Sequence, residues 1–162
     1  MILTKLETLL DVNGIHYTHT THKPAFTARE VAKAEGVPVG HIAKCIVFFG
    51  EEGYGMAVVP GDHKVDLHEL RERLNQPHIR LAAEDELRKL FPDSEPGAMP
   101  PFGNHIQVPV FVDIHLAAQE TIAFNAGTHR DVIHMKFRDF ELLSGATILP
   151  CAAVLSRSAT SG

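Results

Sequence analysis

The stretch Ala43-Lys44-Cys45-Ile46-Val47-Phe48-Phe49 is the most apolar part of the chain, and a single charge interrupts it. Successive side chains of a strand point to opposite faces, so Lys44 shares a face with Ile46 and Phe48. A strand that is apolar on both faces is usually covered on both faces. The Lys44 ammonium therefore lies at the edge of a buried surface, where an unpaired charge is costly. Either it snorkels outward from the strand end, or it meets an anionic or carbonyl-bearing ligand.

The segments around this strand predict a mixed fold. Gly50-Glu51-Glu52-Gly53 is a turn, which makes 54–59 the antiparallel partner of 43–49. Thr27 and Asp66 each stand three residues before a glutamate, a spacing typical of helix N-caps. The pattern predicts helices over 3–12, from Thr27 to Gly36, from Asp66 to 74, over 84–91 and over 137–143. It predicts further strands over 15–20, 79–81, 110–114, 121–125 and 132–136.

The predicted fold class is α+β. Hairpins predominate over strict βαβ alternation, which favours one domain with a mixed, largely antiparallel, barrel-like sheet surrounded by helices. The domain is predicted to cover residues 1–155, with a disordered small and polar tail at 156–162. The apolar segment 148–155 packs on the domain or on a neighbouring copy, and the oligomeric state, monomer or homodimer, is left open.

Composition narrows the function classes. The 162 residues carry a formal net charge of -5, which argues against broad binding along a nucleic-acid duplex such as DNA but not against a pocket for a nucleic-acid end. No apolar run is long enough to span a membrane. The two cysteines form no disulfide framework, and a reducing, cytoplasmic location is the simplest interpretation.

Two loops are candidate parts of a site. The segment Gly97-Ala98-Met99-Pro100-Pro101-Phe102-Gly103 is rigid and glycine-bearing, which suits the presentation of main-chain N–H groups to a developing oxyanion. The segment Phe124-Asn125-Ala126-Gly127-Thr128-His129-Arg130 places His129 where it can hydrogen-bond at a pocket rim. The alternatives are a plain connecting loop and an ordinary hairpin turn.

Metal binding and nucleophilic catalysis have weaker support. The chain has eleven histidines, but it lacks an HExxH motif and a Cys/His quartet, so no metal site is predicted. Cys45 adjoins Lys44, yet neighbouring side chains of a strand face opposite ways, which favours Cys45 as a small core residue.

Together and in this order, these features resemble the YbaK/ProX family of aminoacyl-tRNA deacylases, whose fold also serves as the editing insertion domain of bacterial prolyl-tRNA synthetases. The resemblance extends from the first helix to about Leu143. It is carried by Ala43-Lys44-Cys45-Ile46-Val47, Ala57-Val58-Val59-Pro60-Gly61-Asp62, Glu95 to Gly103, Pro109-Val110-Phe111-Val112-Asp113 and Phe124-Asn125-Ala126-Gly127.

The resemblance implies hydrolysis of the ester that joins a wrong amino acid to the terminal ribose of a tRNA, without a metal or organic cofactor. Lys44 matches the family's functional lysine, and Gly97 and Pro101 match its GxxxP loop. His129 falls where some members carry a substrate-selecting histidine. We predict that catalysis involves Lys44 and the N–H groups of Gly97, Ala98 and Met99, and that substrate binding involves Pro101, Phe102, Gly127 and His129. Cys45 departs from the polar residues that characterised members carry beside the lysine, which leaves the amino-acid specificity open.

Two other hypotheses compete with a trans-editing deacylase that acts on the acceptor end of aminoacyl-tRNA. One is a non-catalytic module that binds a tRNA 3′ end or a nucleotide. The negative net charge of the chain and the lack of an identified nucleophile favour this hypothesis. The other is a metal-dependent hydrolase that uses the histidines.

Overall fold

The structure is a computed structural model that describes residues 2–103 and 106–155. Its helices are α1 Ile2–Val12, α2 Ala28–Glu35, α3 Leu67–Leu74, α4 Glu84–Leu90, α5 Ile114–Ala117 and α6 Phe137–Ser144. Its strands are β1 Tyr17–Thr21, β2 Ala43–Gly50, β3 Gly53–Pro60, β4 His63–Val65, β5 Arg80–Leu81, β6 Val110–Asp113, β7 Thr121–Asn125, β8 Asp131–Lys136, β9 Thr147–Leu149 and β10 Ala152–Val154. A short 3-10 turn at Val39–His41 leads into β2.

The predicted hairpin of β2 and β3 is the centre of the largest sheet. The two strands are antiparallel along their whole length, with Lys44 opposite Val59 and Gly50 opposite Gly53. The sheet has the order β5-β2-β3-β6-β9, and its β3–β6 and β6–β9 pairs are parallel. The β2–β5 pair is antiparallel, as are the strand pairs of the two smaller sheets among the described residues, which have the orders β1-β8-β7 and β10-β4.

The expectation of an α+β fold with a mixed, largely antiparallel sheet is therefore confirmed. The large sheet ends at β5 and β9 and does not close into a barrel. An isolated parallel bridge between Ile42 and Ala123 sets β7 of the three-stranded sheet beside the start of β2.

Helices α1, α2, α3 and α6 each bury apolar side chains against the sheets. Leu6 and Leu10 of α1 and Phe140 of α6 enter the main core, which also contains Phe102 and Phe124. Val31 of α2 packs in a second cluster, against β7 and β8, and Leu70 of α3 packs in a third, against the Phe48 face of β2.

The predicted helix caps are present. Thr27 accepts a hydrogen bond from the Glu30 N–H at 3.1 Å and donates its own N–H to the Glu30 carboxylate at 3.1 Å. Gly36 ends α2 in the left-handed conformation, with φ of 68°. Asp66 caps α3 by accepting from the Glu69 N–H at 3.1 Å.

Four short elements went unpredicted: β4, α5, β9 and β10. Because β9 pairs with β6 and β10 pairs with β4, the apolar segment 148–155 packs on its own domain. The predicted tail at 156–162 lies outside the described residues. In the described parts of the chain, no helix has both the length and the apolar character required to cross a membrane.

Candidate functional site

A cavity of about 130 Å³ opens beside the first half of β2. There β2 pairs with β3 on one side, whereas on its other side β5 reaches only Phe48 and Phe49. The unpaired edge of residues 43–46 consequently faces the cavity. Its lining consists of Phe26, Thr27, Ala28, Ile42, Ala43, Lys44, Cys45, Ile46, Gly97, Met99 and Asn125.

Lys44 lines this cavity as a partly buried cation. Its Nζ donates a hydrogen bond to the main-chain oxygen of His63, at the start of β4. Burial lowers the pKa of the Lys44 ammonium, and the nearby negative charge of Asp62 opposes part of that effect. The His63 carbonyl holds the ammonium within the protein, so it does not simply snorkel into bulk water.

Cys45 has a more complicated position than the sequence indicated. It packs against the main core, as expected, but it also lines the same cavity as Lys44 because the strand presents its edge there. The expectation that it faces wholly away from the cavity is wrong. Burial raises the pKa of the Cys45 thiol to about 12, so at neutral pH it is a protonated, unreactive group and a poor nucleophile.

The glycine loop forms the opposite wall, and the turn after β7 fixes its position. The Gly127 N–H donates to the Ala98 oxygen at 2.9 Å, and the Glu95 N–H donates to the Gly127 oxygen at 2.8 Å. His129 adds two more contacts, from its N–H to the Glu95 carboxylate at 2.8 Å and between its Nε2 and the Pro96 oxygen at 3.1 Å. Four hydrogen bonds thus hold residues 95–98 against residues 127–129.

The loop does not offer all three predicted N–H groups. Gly97, with φ of 86°, and Met99 line the cavity, and the Gly97 N–H donates only to the Met99 thioether sulfur at 3.2 Å, a weak acceptor. Ala98 is fully buried, and its N–H already donates to the Glu95 oxygen at 2.9 Å. That bond closes a turn, so we correct the prediction and remove Ala98 from the candidate donors.

Two of the predicted substrate-binding residues belong to the core. Phe102 is 2 % exposed and packs edge-on against Phe124 and Phe140, with ring centroids 5.7 and 5.2 Å apart. Pro101 is also buried, and neither residue is part of the cavity lining. The GxxxP spacing therefore identifies the position of the loop in the sequence. The second half of the loop, with Pro101 and Phe102, anchors it to the core.

Gly127 and His129 lie behind the wall of the cavity. Gly127, with φ of 101°, acts through its hydrogen bonds to the loop. The His129 ring stacks on Phe26 at a centroid distance of 4.7 Å, and Phe26 lines the cavity with 69 % of its surface exposed. Because the Pro96 oxygen can only accept, His129 Nε2 is the donor of that bond, and the buried Nδ1 has no partner among the described residues.

Sequence analysis missed several lining residues, above all Phe26, Thr27 and Asn125. An aromatic residue directly before a helix cap was the available signal for Phe26. Asn125 was part of a recognised segment, but nothing in the sequence distinguished its side chain from its neighbours. Both reach the cavity through long-range contacts.

The histidines do not assemble into a metal centre in the described part of the chain, where no group of three or more His, Cys, Asp or Glu side chains has suitable geometry. His19 Nε2 lies 2.8 Å from Asp131, and His22 Nε2 lies 3.8 Å from Glu35. The regular spacing in the sequence therefore leads to separate partners.

Comparison with known proteins agrees with this geometry. The sequence profile described as the aminoacyl-tRNA editing domain matches residues 22–143. The chain belongs to that family. The match includes Lys44, the glycine loop and the Gly127 turn, and it excludes α1, β1, β9 and β10.

Related sequences include the prolyl-tRNA editing protein ProX of Acetoanaerobium sticklandii, which is 27% identical over 138 residues, 82% of this chain and 84% of that protein. The proline--tRNA ligase of Trichlorobacter lovleyi is 36% identical over 106 residues, which is 65% of this chain but only 17% of the ligase. A solved structure of a proposed trans-editing enzyme for prolyl tRNA synthetase superposes with a TM-score of 0.82 and 26% identity, over 93% of this chain and 96% of the other.

Proposed function

We propose that this protein is a trans-editing aminoacyl-tRNA deacylase, which hydrolyses the ester of a mischarged tRNA at its acceptor end. The observation that carries the proposal is the juxtaposition of the Lys44 cation and the Gly97 loop across one small cavity. Membership of the aminoacyl-tRNA editing family supports it, as do the relatives named for prolyl-tRNA editing.

The size of the cavity suits the aminoacyl end of such a substrate. At about 130 Å³ it is smaller than the roughly 300–1,000 Å³ of pockets for drug-sized ligands. We propose that it holds a small aminoacyl group, while the terminal adenosine lies at the mouth, where the Phe26 ring is exposed. Selection against larger amino acids then follows from volume, although one methylene group contributes only about 1–3 kcal/mol of discrimination.

The chemistry requires little from the side chains. A water molecule, oriented by a hydroxyl of the tRNA ribose, attacks the ester carbonyl carbon. The bond between that carbon and the esterified ribose oxygen then breaks, and the proton that the water loses goes to the leaving ribose oxygen. The Lys44 ammonium anchors a phosphate or the ester carbonyl, and the Gly97 and Met99 N–H groups donate to the developing oxyanion. One such donor contributes roughly 3 kcal/mol in comparable sites. Positioning of the attacking oxygen lowers the barrier further.

The proposal is tested with tRNA charged with alanine, serine, threonine or cysteine, and with a Lys44→Met variant that keeps the length of the side chain but removes its charge. We expect the wild type to release at least one of these amino acids and Lys44→Met to lower kcat/KM about 100-fold or more. Lys64→Met is the matched control: Lys64 is exposed on β4, so its loss should change the rate less than about twofold.

The alternative outcomes are distinct. If the wild type binds these tRNAs saturably but releases no amino acid, the protein is a binding module and the proposal is wrong. If the wild type is active and Lys44→Met is equally active, the deacylase assignment stands and the role of Lys44 is rejected.

A further inference from the structure

The cavity contains one buried polar atom that the protein leaves without a partner. Asn125 ends β7 and lines the cavity, and its Oδ1 is inaccessible to solvent with no hydrogen-bond donor among the described residues. A buried acceptor without a donor costs about 1–3 kcal/mol. Such groups are rare in folded proteins, and each requires an explanation, which at a cavity wall is a bound water molecule or a ligand.

The fold places Asn125 between the two walls of the cavity. Two residues before it, Ala123 forms the parallel bridge to Ile42, next to the start of β2. Two residues after it, Gly127 donates to Ala98 of the glycine loop. The main chain at Asn125 is therefore fixed between the strand of Lys44 and the loop of Gly97, which places its amide at the cavity beside the proposed position of the ester.

No side chain that lines the cavity donates a hydrogen bond to Asn125 Oδ1. The Lys44 ammonium donates to the His63 oxygen. The Thr27 hydroxyl oxygen accepts from the Glu30 N–H at 3.1 Å, as the cap of α2. None of the described residues supplies the donor for Asn125 Oδ1, and a ligand in the cavity can supply it.

The ligand that the proposed function implies carries a suitable donor. Every aminoacyl ester has an α-ammonium group next to its carbonyl, and this cation needs an acceptor when it enters a cavity. The described lining contains no carboxylate. A neutral acceptor suits this position because a carboxylate would pair with Lys44 and withdraw it from the substrate.

We infer that Asn125 Oδ1 accepts a hydrogen bond from the α-ammonium group of the substrate and is a specificity-determining residue for free aminoacyl esters. The inference rests on the proposed function. It predicts that the enzyme distinguishes an aminoacyl-tRNA from the same ester with a hydroxyl in place of the ammonium, and that Asn125 is the source of that distinction.

The experiment compares these two substrates on each enzyme. The aminoacyl-tRNA that the wild type hydrolyses fastest is paired with its α-hydroxy counterpart, prepared by chemical deamination, and the ratio of their kcat/KM values is measured. We expect a wild-type ratio of about 10 or more, the size of one hydrogen bond to a charged group. Asn125→Ala should bring the ratio close to 1, and Asn125→Asp, which retains the acceptor, should keep it at about 10 or above.

The ratio is independent of how much of a variant is folded, because both substrates meet the same preparation. Asn13→Ala, at an exposed asparagine after α1, is the control and should keep the wild-type ratio. A wild-type ratio near 1 overturns the inference, and so does an unchanged ratio in Asn125→Ala, while the deacylase activity itself would stand. If the wild type hydrolyses neither substrate, the proposed function fails.

Discussion

At the scale of single residues, the site depends on a cation that the fold holds at a cost. Burial lowers the pKa of Lys44, so the charged form is less stable in the folded protein than in the unfolded chain. The His63 carbonyl satisfies one of the three ammonium donors. Because a partly buried lysine lowers the stability of the fold, we attribute its presence at this position to ligand binding.

This cost predicts a pH dependence of stability. The relevant pH range lies between the lowered pKa of Lys44 in the folded protein and its ordinary pKa of 10.5. In this range the unfolded chain binds more protons at Lys44 than the folded protein does, so the free energy of unfolding rises with pH. Lys44→Met lacks this titration. We expect the Tm of the wild type to rise relative to that of Lys44→Met as the pH approaches 10.5.

Differential scanning calorimetry of both proteins in parallel checks this prediction, because titrations common to the two cancel in the difference. Lys64→Met, at an exposed lysine, serves as the control and should follow the wild type. A Tm difference that stays constant with pH would contradict the assignment of a lowered Lys44 pKa.

Sequence patterns identified Lys44 because a lone charge interrupts an apolar face, and Gly97 because its loop has a recognisable composition. They did not reveal that Ala98 and Phe102 lie outside the cavity lining, since a motif's spacing does not show which N–H closes a turn or which ring enters the core. Phe26 and Asn125 went unnoticed as lining residues because their positions depend on long-range contacts, the Phe26–His129 stacking and the Ile42–Ala123 bridge.

At the scale of elements, the connection between the glycine loop and the turn after β7 decides whether the cavity has a second wall. Gly127 is central to it because its N–H and its carbonyl both bond to the loop, with φ at 101°. A Cβ on Gly127 would overlap Ile2 Cγ2 of α1. Helix α1, the turn and the loop are therefore in contact through one glycine.

Gly127→Ala should consequently lower the free energy of unfolding by about 2 kcal/mol or more. The left-handed conformation alone costs a non-glycine residue about 1–2 kcal/mol, and the overlap with Ile2 adds to that cost. Gly14→Ala is the matched control: Gly14 has φ of 66° but no atom within 4 Å of the added Cβ. Urea unfolding of both variants measures the difference. Equal losses in the two variants would show that Ile2 moves aside freely.

The elements that could be predicted from the sequence are those whose patterns lie within a few residues of chain. The β2–β3 hairpin, the capped helices α2 and α3, and strands β7 and β8 all follow from periodicity, turns or caps within a few residues. The missed strands β4, β9 and β10 have three residues each, too few for a period to emerge. Their pairing is also non-local, since β10 meets β4 across more than eighty residues of chain.

At the scale of the whole molecule, the folding unit is larger than the segment that defines the family. The family match begins at residue 22, yet Leu6 and Leu10 of α1 are 4 % and 0 % exposed in the main core, and β1 pairs along β8. The match ends at residue 143, yet the Cys151 N–H donates to the fully buried Asp113 carboxylate at 2.9 Å. The segments before residue 22 and after residue 143 are therefore both part of the packed core.

The fragment 22–143 should therefore fail to fold cooperatively, whereas the fragment 1–155 should unfold in one transition. Loss of the buried side chains Ile2, Leu6 and Leu10 alone removes roughly 5–9 kcal/mol of apolar burial, at about 1.5–3 kcal/mol each. A domain's net stability is only about 5–15 kcal/mol. Far-UV circular dichroism during urea titration distinguishes the two fragments, and a cooperative transition of 22–143 at the midpoint of 1–155 would show that the family segment is a folding unit by itself.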